Sequence, residues 1–233
     1  MNKYEVNTLE DLYDILDNFT DGVKWDEFYK KREKKPPFVV NSRIPDKVLV
    51  EFLKNNQIEN AIEFGCGEGR NSIFLAKNNV NVDAIDLSEE AINNAIGAAK
   101  EQKVNVNFES GNLFKKEYLE NHYDLVVDSG VFHHLAPHRR LQYREIIKKI
   151  LKENGYFIML CFADGDNVAD EIDDLEFYNS RRVGVAFSKE RIIRFFEDNF
   201  EIVEIYKGEN QITEDYMEIA FLYNCIMKKK IDK

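Results

Sequence analysis

Cysteine is scarce in this chain. Its three residues, Cys66, Cys161 and Cys225, are odd in number, far apart and without a CxxC pair. That usage argues against a disulfide framework and against a zinc ribbon, and it suits a reducing cytoplasm. Long apolar runs are missing too. No stretch approaches a membrane span, and the N-terminus is polar and acidic where a signal peptide is basic then apolar. Positive charge is in deficit, with 32 Lys and Arg against 43 Asp and Glu and a net charge of −11. A general nucleic-acid binder needs a basic footprint that this balance does not supply. The basic runs Lys30-Lys31-Arg32-Glu33-Lys34-Lys35 and Lys228-Lys229-Lys230 read as a solvated face and a frayed tail. The expectation is a cytoplasmic protein, monomer or homodimer, that engages neither nucleic acid nor membrane.

What remains is an ordinary globular composition. At 233 residues with a 44% hydrophobic fraction, the chain can build one full core, with or without an N-terminal extension. Thr8 with Asp11 resembles a capping pair ahead of Leu9, Leu12, Ile15, Leu16 and Phe19 at helical spacing. Trp25-Asp26-Glu27-Phe28-Tyr29 is an aromatic segment, Pro36-Pro37-Phe38 breaks any helix, and Pro45 suits the first turn of a helix carrying Val48, Leu49, Phe52 and Leu53.

From residue 60 the pattern alternates. Strands are expected at 60–64, 80–85, 104–108, 123–128 and 155–161 with helices between them, one opened by Ser88. Such alternation means a parallel sheet covered on both faces. Residues 163–187 read as acidic and irregular, and Ser188 then opens a helix with Ile192, Ile193, Phe195 and Phe196. Strands at 200–206 and 219–227 follow, joined by a link too short for a crossover helix, so they must run antiparallel. The expected fold is α/β: a doubly wound, mostly parallel seven-stranded sheet, Rossmann-like, with an antiparallel C-terminal strand. Residues 1–45 are expected as a helical lid segment and 46–233 as the main domain.

The chemistry centres on Ala61-Ile62-Glu63-Phe64-Gly65-Cys66-Gly67-Glu68-Gly69-Arg70-Asn71, a strand end, a turn with alternate glycines and a helix start. Glycine lets backbone approach a ligand where a side chain would collide. Asp86 stands 21 residues after Gly65 at the end of the second apolar run, where a carboxylate reaches ribose hydroxyls. An adenosine-containing cofactor is expected. The glycines are spaced G-x-G-x-G, and Glu63 puts an acid at the strand end. A dinucleotide site keeps that region uncharged for its pyrophosphate, whereas an acid there suits an amino group or a sulfonium. Cys66 reads as a small tolerated side chain, not a nucleophile.

Glu63-Phe64-Gly65-Cys66-Gly67-Glu68-Gly69, Asp86, Gly111-Asn112-Leu113 and Asp128 resemble the successive motifs of class I S-adenosylmethionine-dependent methyltransferases over residues 60 to about 228. The resemblance implies that the backbone at Gly65, Cys66 and Gly67 holds the methionine portion, that Asp86 takes the ribose, and that Leu87 flanks the adenine. Asn112 and Leu113 then meet the adenine edge, with Asn112 where the family commonly has Asp. Trp25-Asp26-Glu27-Phe28-Tyr29 with Pro36-Pro37-Phe38, and Asp128-Ser129-Gly130-Val131-Phe132-His133-His134, resemble the thiopurine, thiol and halide branch, which implies that Trp25 covers the cofactor. Aromatic faces stabilise a sulfonium, and a lid excludes water.

At the carboxyl end of the fourth strand, His133, His134 and His138 face the ligand crevice. Nothing nearby completes a metal site, and the expected role is acceptor-pocket lining, with His133 or His134 as base if the acceptor is oxygen or nitrogen. A thiolate or halide acceptor needs no base, since in-line transfer rests on alignment. Arg139 and Arg140 read as solvated, with the alternative that one of them holds an anionic acceptor. The expected function is methyl transfer from S-adenosylmethionine to a small molecule. Its rivals are an NAD-dependent oxidoreductase, disfavoured by the glycine spacing and the lack of a Tyr-x-x-x-Lys pair, and a catalytically silent cofactor-binding regulator.

Overall fold

The computed structural model describes residues 5–20, 23–31, 43–166, 168–180, 182 and 184–231. Pro36-Pro37-Phe38 and residues 32–35 of the first basic run lie outside the described residues. Three helices come first: α1 (Leu9–Asp17), α2 (Trp25–Lys30) and α3 (Lys47–Asn55). The expected capping box is present on α1, Thr8 and Asp11 each satisfying the other's backbone N–H. Pro45 sits just ahead of α3 rather than in its first turn, and its carbonyl accepts from Met217 N at 2.8 Å.

Strands and helices then alternate: β1 (Asn60–Phe64), α4 (Arg70–Lys77), β2 (Asn81–Asp86), α5 (Glu89–Glu101), β3 (Asn107–Ser110), β4 (Tyr123–Ser129), α6 (Pro137–Ile150) and β5 (Leu151–Phe162). Next come α7 (Asp174–Ser180), α8 (Lys189–Phe196), β6 (Phe200–Lys207), β7 (Gln211–Ile212), β8 (Met217–Glu218) and β9 (Leu222–Lys229). The seven-stranded sheet has the order β3-β2-β1-β4-β5-β9-β6. Pairings from β3 through β5 are parallel, and β9 runs antiparallel between β5 and β6.

Period-two burial divides the sheet into two faces. Ala61, Leu125, Val127, Ile158 and Leu160 pack with Val48, Leu49 and Phe52 of α3 and Leu75 of α4. Ile62, Phe64, Val126, Phe157 and Met159 pack with Tyr143 and Ile147 of α6 and Ile192 and Phe196 of α8. Strand order reverses at β1, so the carboxyl ends of β1 and β4 open the crevice where doubly wound sheets bind ligands.

Three expectations need correction. β3 spans Asn107–Ser110 rather than 104–108, because Val104 packs on Ala98 and Ala99 of α5 and Val106 on Ala84 and Ile92, before the chain reaches strand register opposite Asp83. Residues 111–122 between β3 and β4 hold no helix, although helices were expected in every connection. Residues 163–187 are not wholly irregular, since α7 lies within them with Phe177 buried. Among the described residues no helix is long and apolar enough to cross a membrane.

Candidate active site

The glycine loop leaves β1 with Gly65, Gly67 and Gly69 all at positive φ (64°, 53° and 81°). A Cβ on Gly65 would lie 2.2 Å from Cγ2 of Val131, and one on Gly67 would lie 2.5 Å from the Tyr29 hydroxyl. The loop is thus a bare backbone cradle, bounded by the β4 exit on one side and α2 on the other.

Gly69 caps α4 in the left-handed region and has no side chain to satisfy the first helical N–H groups. Glu63 supplies that function from the neighbouring strand. Its carboxylate accepts from Ser72 N at 2.9 Å, from the Ser72 hydroxyl and from Asn71 Nδ2 at 3.1 Å. The side chain is 1% exposed, and burial pushes its carboxyl up to about 7 against those hydrogen bonds. The structure therefore turns the Glu63 charge toward the helix that carries the loop. The hydrogen bonds that its carboxyl makes in the structure are internal.

Asn71 links Glu63 to Asp46, which is 3% exposed at the start of α3. Asp46 takes a bidentate pair from Arg70 at 2.6 and 3.1 Å and a hydrogen bond from the Ser129 hydroxyl at 2.7 Å. Arg70 also donates to Ser129 at 2.8 Å. One polar network thus ties the segment before α3, the glycine loop and the end of β4. The sequence reading missed Asp46, which carries no motif of its own, and quoted Arg70 and Ser129 only as members of longer motifs, without a role.

Asp86 ends β2 with each carboxylate oxygen bound to one backbone donor, Gly67 N at 2.9 Å and Ser88 N at 2.8 Å. Burial raises its carboxyl and those two N–H groups oppose the rise. Leu87 is 57% exposed beside it, a free apolar surface at the strand end. Asn112 turns its side-chain oxygen onto Phe114 N at 2.9 Å, and Leu113 is buried in the main core. Cys66 is buried, and desolvation with the nearby Asp86 and Glu63 charges holds its thiol well above the ordinary value. A thiol held neutral is a poor nucleophile.

Asp128 is fully buried. It accepts from the backbone of Gly130, Val131 and Phe132 at 2.6 to 3.0 Å and from the Tyr143 hydroxyl at 2.6 Å. Its carboxylate is committed to folding the β4 exit loop, which presents Phe132, His133 and His134 in a short 3₁₀ turn. Burial pushes its carboxyl up to about 6 despite those donors.

The two histidines then diverge. His133 is 3% exposed, stacked on Phe162 at 3.7 Å between ring centroids, and its Nδ1 accepts from Phe162 N at 3.3 Å. His134 stands 4.2 Å from His133 and meets Trp25 edge to face at 5.0 Å. Trp25 thereby docks α2 on the β4 exit, while Asp26 accepts from Ser88 Oγ at 3.1 Å and Glu90 N at 3.2 Å at the head of α5. Tyr29, quoted in the sequence only as part of an aromatic segment, reaches the glycine loop from the same helix.

His138 stands apart from the other two, bonded to Tyr178 at 2.7 Å and Asp17 at 2.8 Å. Arg139 and Arg140 were expected to be solvated, yet each is 3% exposed. Arg139 gathers Glu10, Asp14 and Asp17 of α1, and Arg140 lies between the Phe177 and Phe187 rings with Asp174 on Nη1. Pro137 at N1 starts α6, and that start turns both arginines inward onto the covering segments. Among the described residues no three His, Cys, Asp or Glu side chains gather as a metal site.

A family model described as a methyltransferase domain matches residues 55–206, and the chain belongs to that family. An uncharacterized methyltransferase of Schizosaccharomyces pombe is 30% identical over 106 residues, 46% of this chain and 73% of that protein. A release factor glutamine methyltransferase of Flavobacterium psychrophilum is 28% identical over 145 residues, 60% of this chain and 49% of its own length. Among solved structures, the Burkholderia thailandensis 1,6-didemethyltoxoflavin-N1-methyltransferase, bound to 1,6-didemethyltoxoflavin and S-adenosylhomocysteine, superposes with a TM-score of 0.68 at 14% identity. That match covers 99% of this chain and 94% of the other.

The protein is a class I S-adenosylmethionine-dependent methyltransferase, and the NAD-dependent oxidoreductase reading is set aside. S-adenosylmethionine is its cofactor, and the residues present suit it: a backbone cradle closed to any Cβ, with a buried carboxylate at the end of the adjacent strand.

Proposed function

We propose that the protein methylates a small-molecule acceptor seated between α2 and the β4 exit loop. The observation that supports this reading is Trp25 of α2 set against His134 at 5.0 Å; on this reading α2 roofs the carboxyl end of the sheet. A roofed chamber excludes water and orients a small acceptor. On this reading residues 1–45 form the lid and 46–233 the methyltransferase domain.

The cofactor's sulfonium supplies an electrophilic methyl carbon. Backbone at Gly65, Cys66 and Gly67 holds the amino-acid end, and Asp86 binds the ribose with the lone pairs its two N–H bonds leave free. Leu87, Asn112 and Leu113 border the adenine. Glu63 and Asp128 shape the loops from beneath, and Trp25 and Tyr29 cover the site from α2. The acceptor reacts through sulfur, a halide, oxygen or nitrogen, with His133 and His134 on the chamber wall.

The test is calorimetric titration with S-adenosylhomocysteine, followed by release of S-adenosylhomocysteine from S-adenosylmethionine over a panel of thiols, halides, phenols and heteroaromatics. Binding with turnover of a panel member supports the reading. Turnover only on protein substrates would overturn it.

A further inference from the structure

The hydrogen bond from Phe162 N to His133 Nδ1 settles which proton the ring carries. A backbone N–H can only donate, so Nδ1 presents its lone pair and the neutral ring holds its hydrogen on Nε2. Protonating Nδ1 would break that bond and bury a cation. Burial, His134 and Arg140 all pull the basicity of this ring well down, in the same direction. His133 is therefore unable to act as the proton acceptor expected from the sequence. It is a donor.

The donor is aimed. Where Gly130 leaves β4 at φ +114°, a Cβ would lie 3.5 Å from His133 Cε1 and 4.0 Å from Nε2, so this ring edge borders the bare backbone at the strand's carboxyl end. Among the described residues the one hydrogen bond seen on this ring is at Nδ1, and the residue is 3% exposed. An N–H at a nearly closed site forms a strong, charge-assisted hydrogen bond when an anionic ligand atom meets it. Around it the surfaces are flat: Phe162 stacked on the ring, His134 at 4.2 Å, and Trp25 edge-on beyond His134. Stacked and edge-to-face ring walls favour a planar guest.

We propose that His133 Nε2–H binds one heteroatom of a flat conjugated acid, such as a hydroxy- or oxo-substituted heteroaromatic, whose anion shares its charge with a second, nucleophilic heteroatom. This assignment rests on the small-molecule reading above. The hydrogen bond favours the anion, so the acceptor loses its proton to solvent on entry and none remains to be placed during transfer. The second heteroatom's lone pair forms the bond to the methyl carbon, and the departing carbon–sulfur pair stays on sulfur. An iodide or a simple thiolate has no second heteroatom and draws nothing from this donor.

The test compares wild type, His133→Phe, which keeps a flat ring without the donor, and His133→Gln, which keeps an N–H donor. Binding of 4-hydroxyquinoline, 2-hydroxypyridine, thiophenol and iodide to the S-adenosylhomocysteine complex is measured by calorimetry, with kcat and KM measured alongside. His133→Phe should leave S-adenosylhomocysteine affinity unchanged and weaken the hydroxyheteroaromatics at least tenfold, chiefly in KM. His133→Gln should recover most of that loss. The proposal is overturned if neither hydroxyheteroaromatic binds at millimolar concentration, or if thiophenol or iodide turns over faster and equally in wild type and His133→Phe. Both of those results leave the small-molecule reading intact, whereas turnover only on protein substrates would remove that reading.

Discussion

The carboxylate of Glu63 at the end of β1 accepts the backbone N–H of Ser72, the third residue of α4, at 2.9 Å. Capping is normally supplied by the residue that starts a helix. Here that residue is Gly69, whose left-handed conformation the loop requires and whose lack of a side chain leaves the helix uncapped. A strand residue has taken over the work, which is why an acid stands in a strand whose other inward positions are apolar. The loop's shape and the acid beneath it are one device.

Glu63 should make stability fall as pH rises. Its ordinary value is 4.5 and burial holds it at about 7, so between those values the folded state keeps a proton that the unfolded chain has released. Stability is then lost as pH climbs through that window, with a total on the order of 3 kcal/mol at ~1.4 kcal/mol per unit. Asp128, raised from 3.8 to about 6, acts in the same direction over a lower window. Urea melts at several values from pH 5 to pH 8 should show a flatter stability curve for Glu63→Gln than for wild type. Parallel curves would sink the assignment.

Gly65 and Val131 should behave as a coupled pair. Gly65→Ala places a methyl 2.2 Å from Val131 Cγ2 at a φ of +64°. Overpacking and a left-handed alanine together cost about 2–5 kcal/mol. Adding Val131→Ala removes the clashing methyl and leaves only the backbone strain. The double variant should thus be more stable than Gly65→Ala alone, although Val131→Ala by itself destabilises. Denaturation of the four proteins measures this, and simple additivity would refute the contact.

The sheet was legible because its signals are local: apolar runs of strand length, glycine punctuation and a C-terminal pair with no room for a crossover. β3 was misplaced because Val104 and Val106 look like strand residues but pack on the side of α5. The helix-free segment between β3 and β4 is met by α1 from more than 90 positions away, with Lys115 bonded to Glu10 at 2.7 Å and to Asp14 at 2.8 Å. In the site, the glycines and Asp86 announce themselves by spacing, whereas Asp46 and Ser129 matter only through what they touch. His133 and His134 are adjacent and identical in sequence, and only their surroundings tell them apart: His133 meets the Phe162 ring and backbone, His134 the edge of Trp25.

Arg139 should decide whether α1 stays docked. That helix buries none of its residues and is held by Glu10, Asp14 and Asp17 around one guanidinium that is itself nearly inaccessible. Arg139→Gln should expose residues 5–20 to proteolysis at least tenfold faster while the rest of the fold survives. Asp17 adds a pH dependence. Partial burial raises its carboxyl, but the His138 and Arg139 hydrogen bonds outweigh that and hold it at about 2. Its contribution is present above the ordinary value of 3.8 and is lost as pH falls through 2. Unchanged protection of α1 in the variant would show that apolar contacts hold it instead.

Trp25 is the only tryptophan in the chain, so fluorescence excited at the indole reads α2 at its contact with His134 and nothing else. Its edge contact with His134 at 5.0 Å and its place on α2 predict two responses. Titrating S-adenosylhomocysteine should change the emission and reduce quenching by acrylamide, because a seated ligand holds α2 down. Asp26→Asn weakens the link from α2 to Ser88 and Glu90 and should restore acrylamide access in the bound state. The same variant should raise the S-adenosylhomocysteine Kd severalfold, with little change in the unfolding midpoint of the free protein, since the Lys30–Asp26 pair it removes is solvent-exposed. If calorimetry records binding while Trp25 emission and quenching stay fixed, α2 is no lid, and the roofed chamber must be given up.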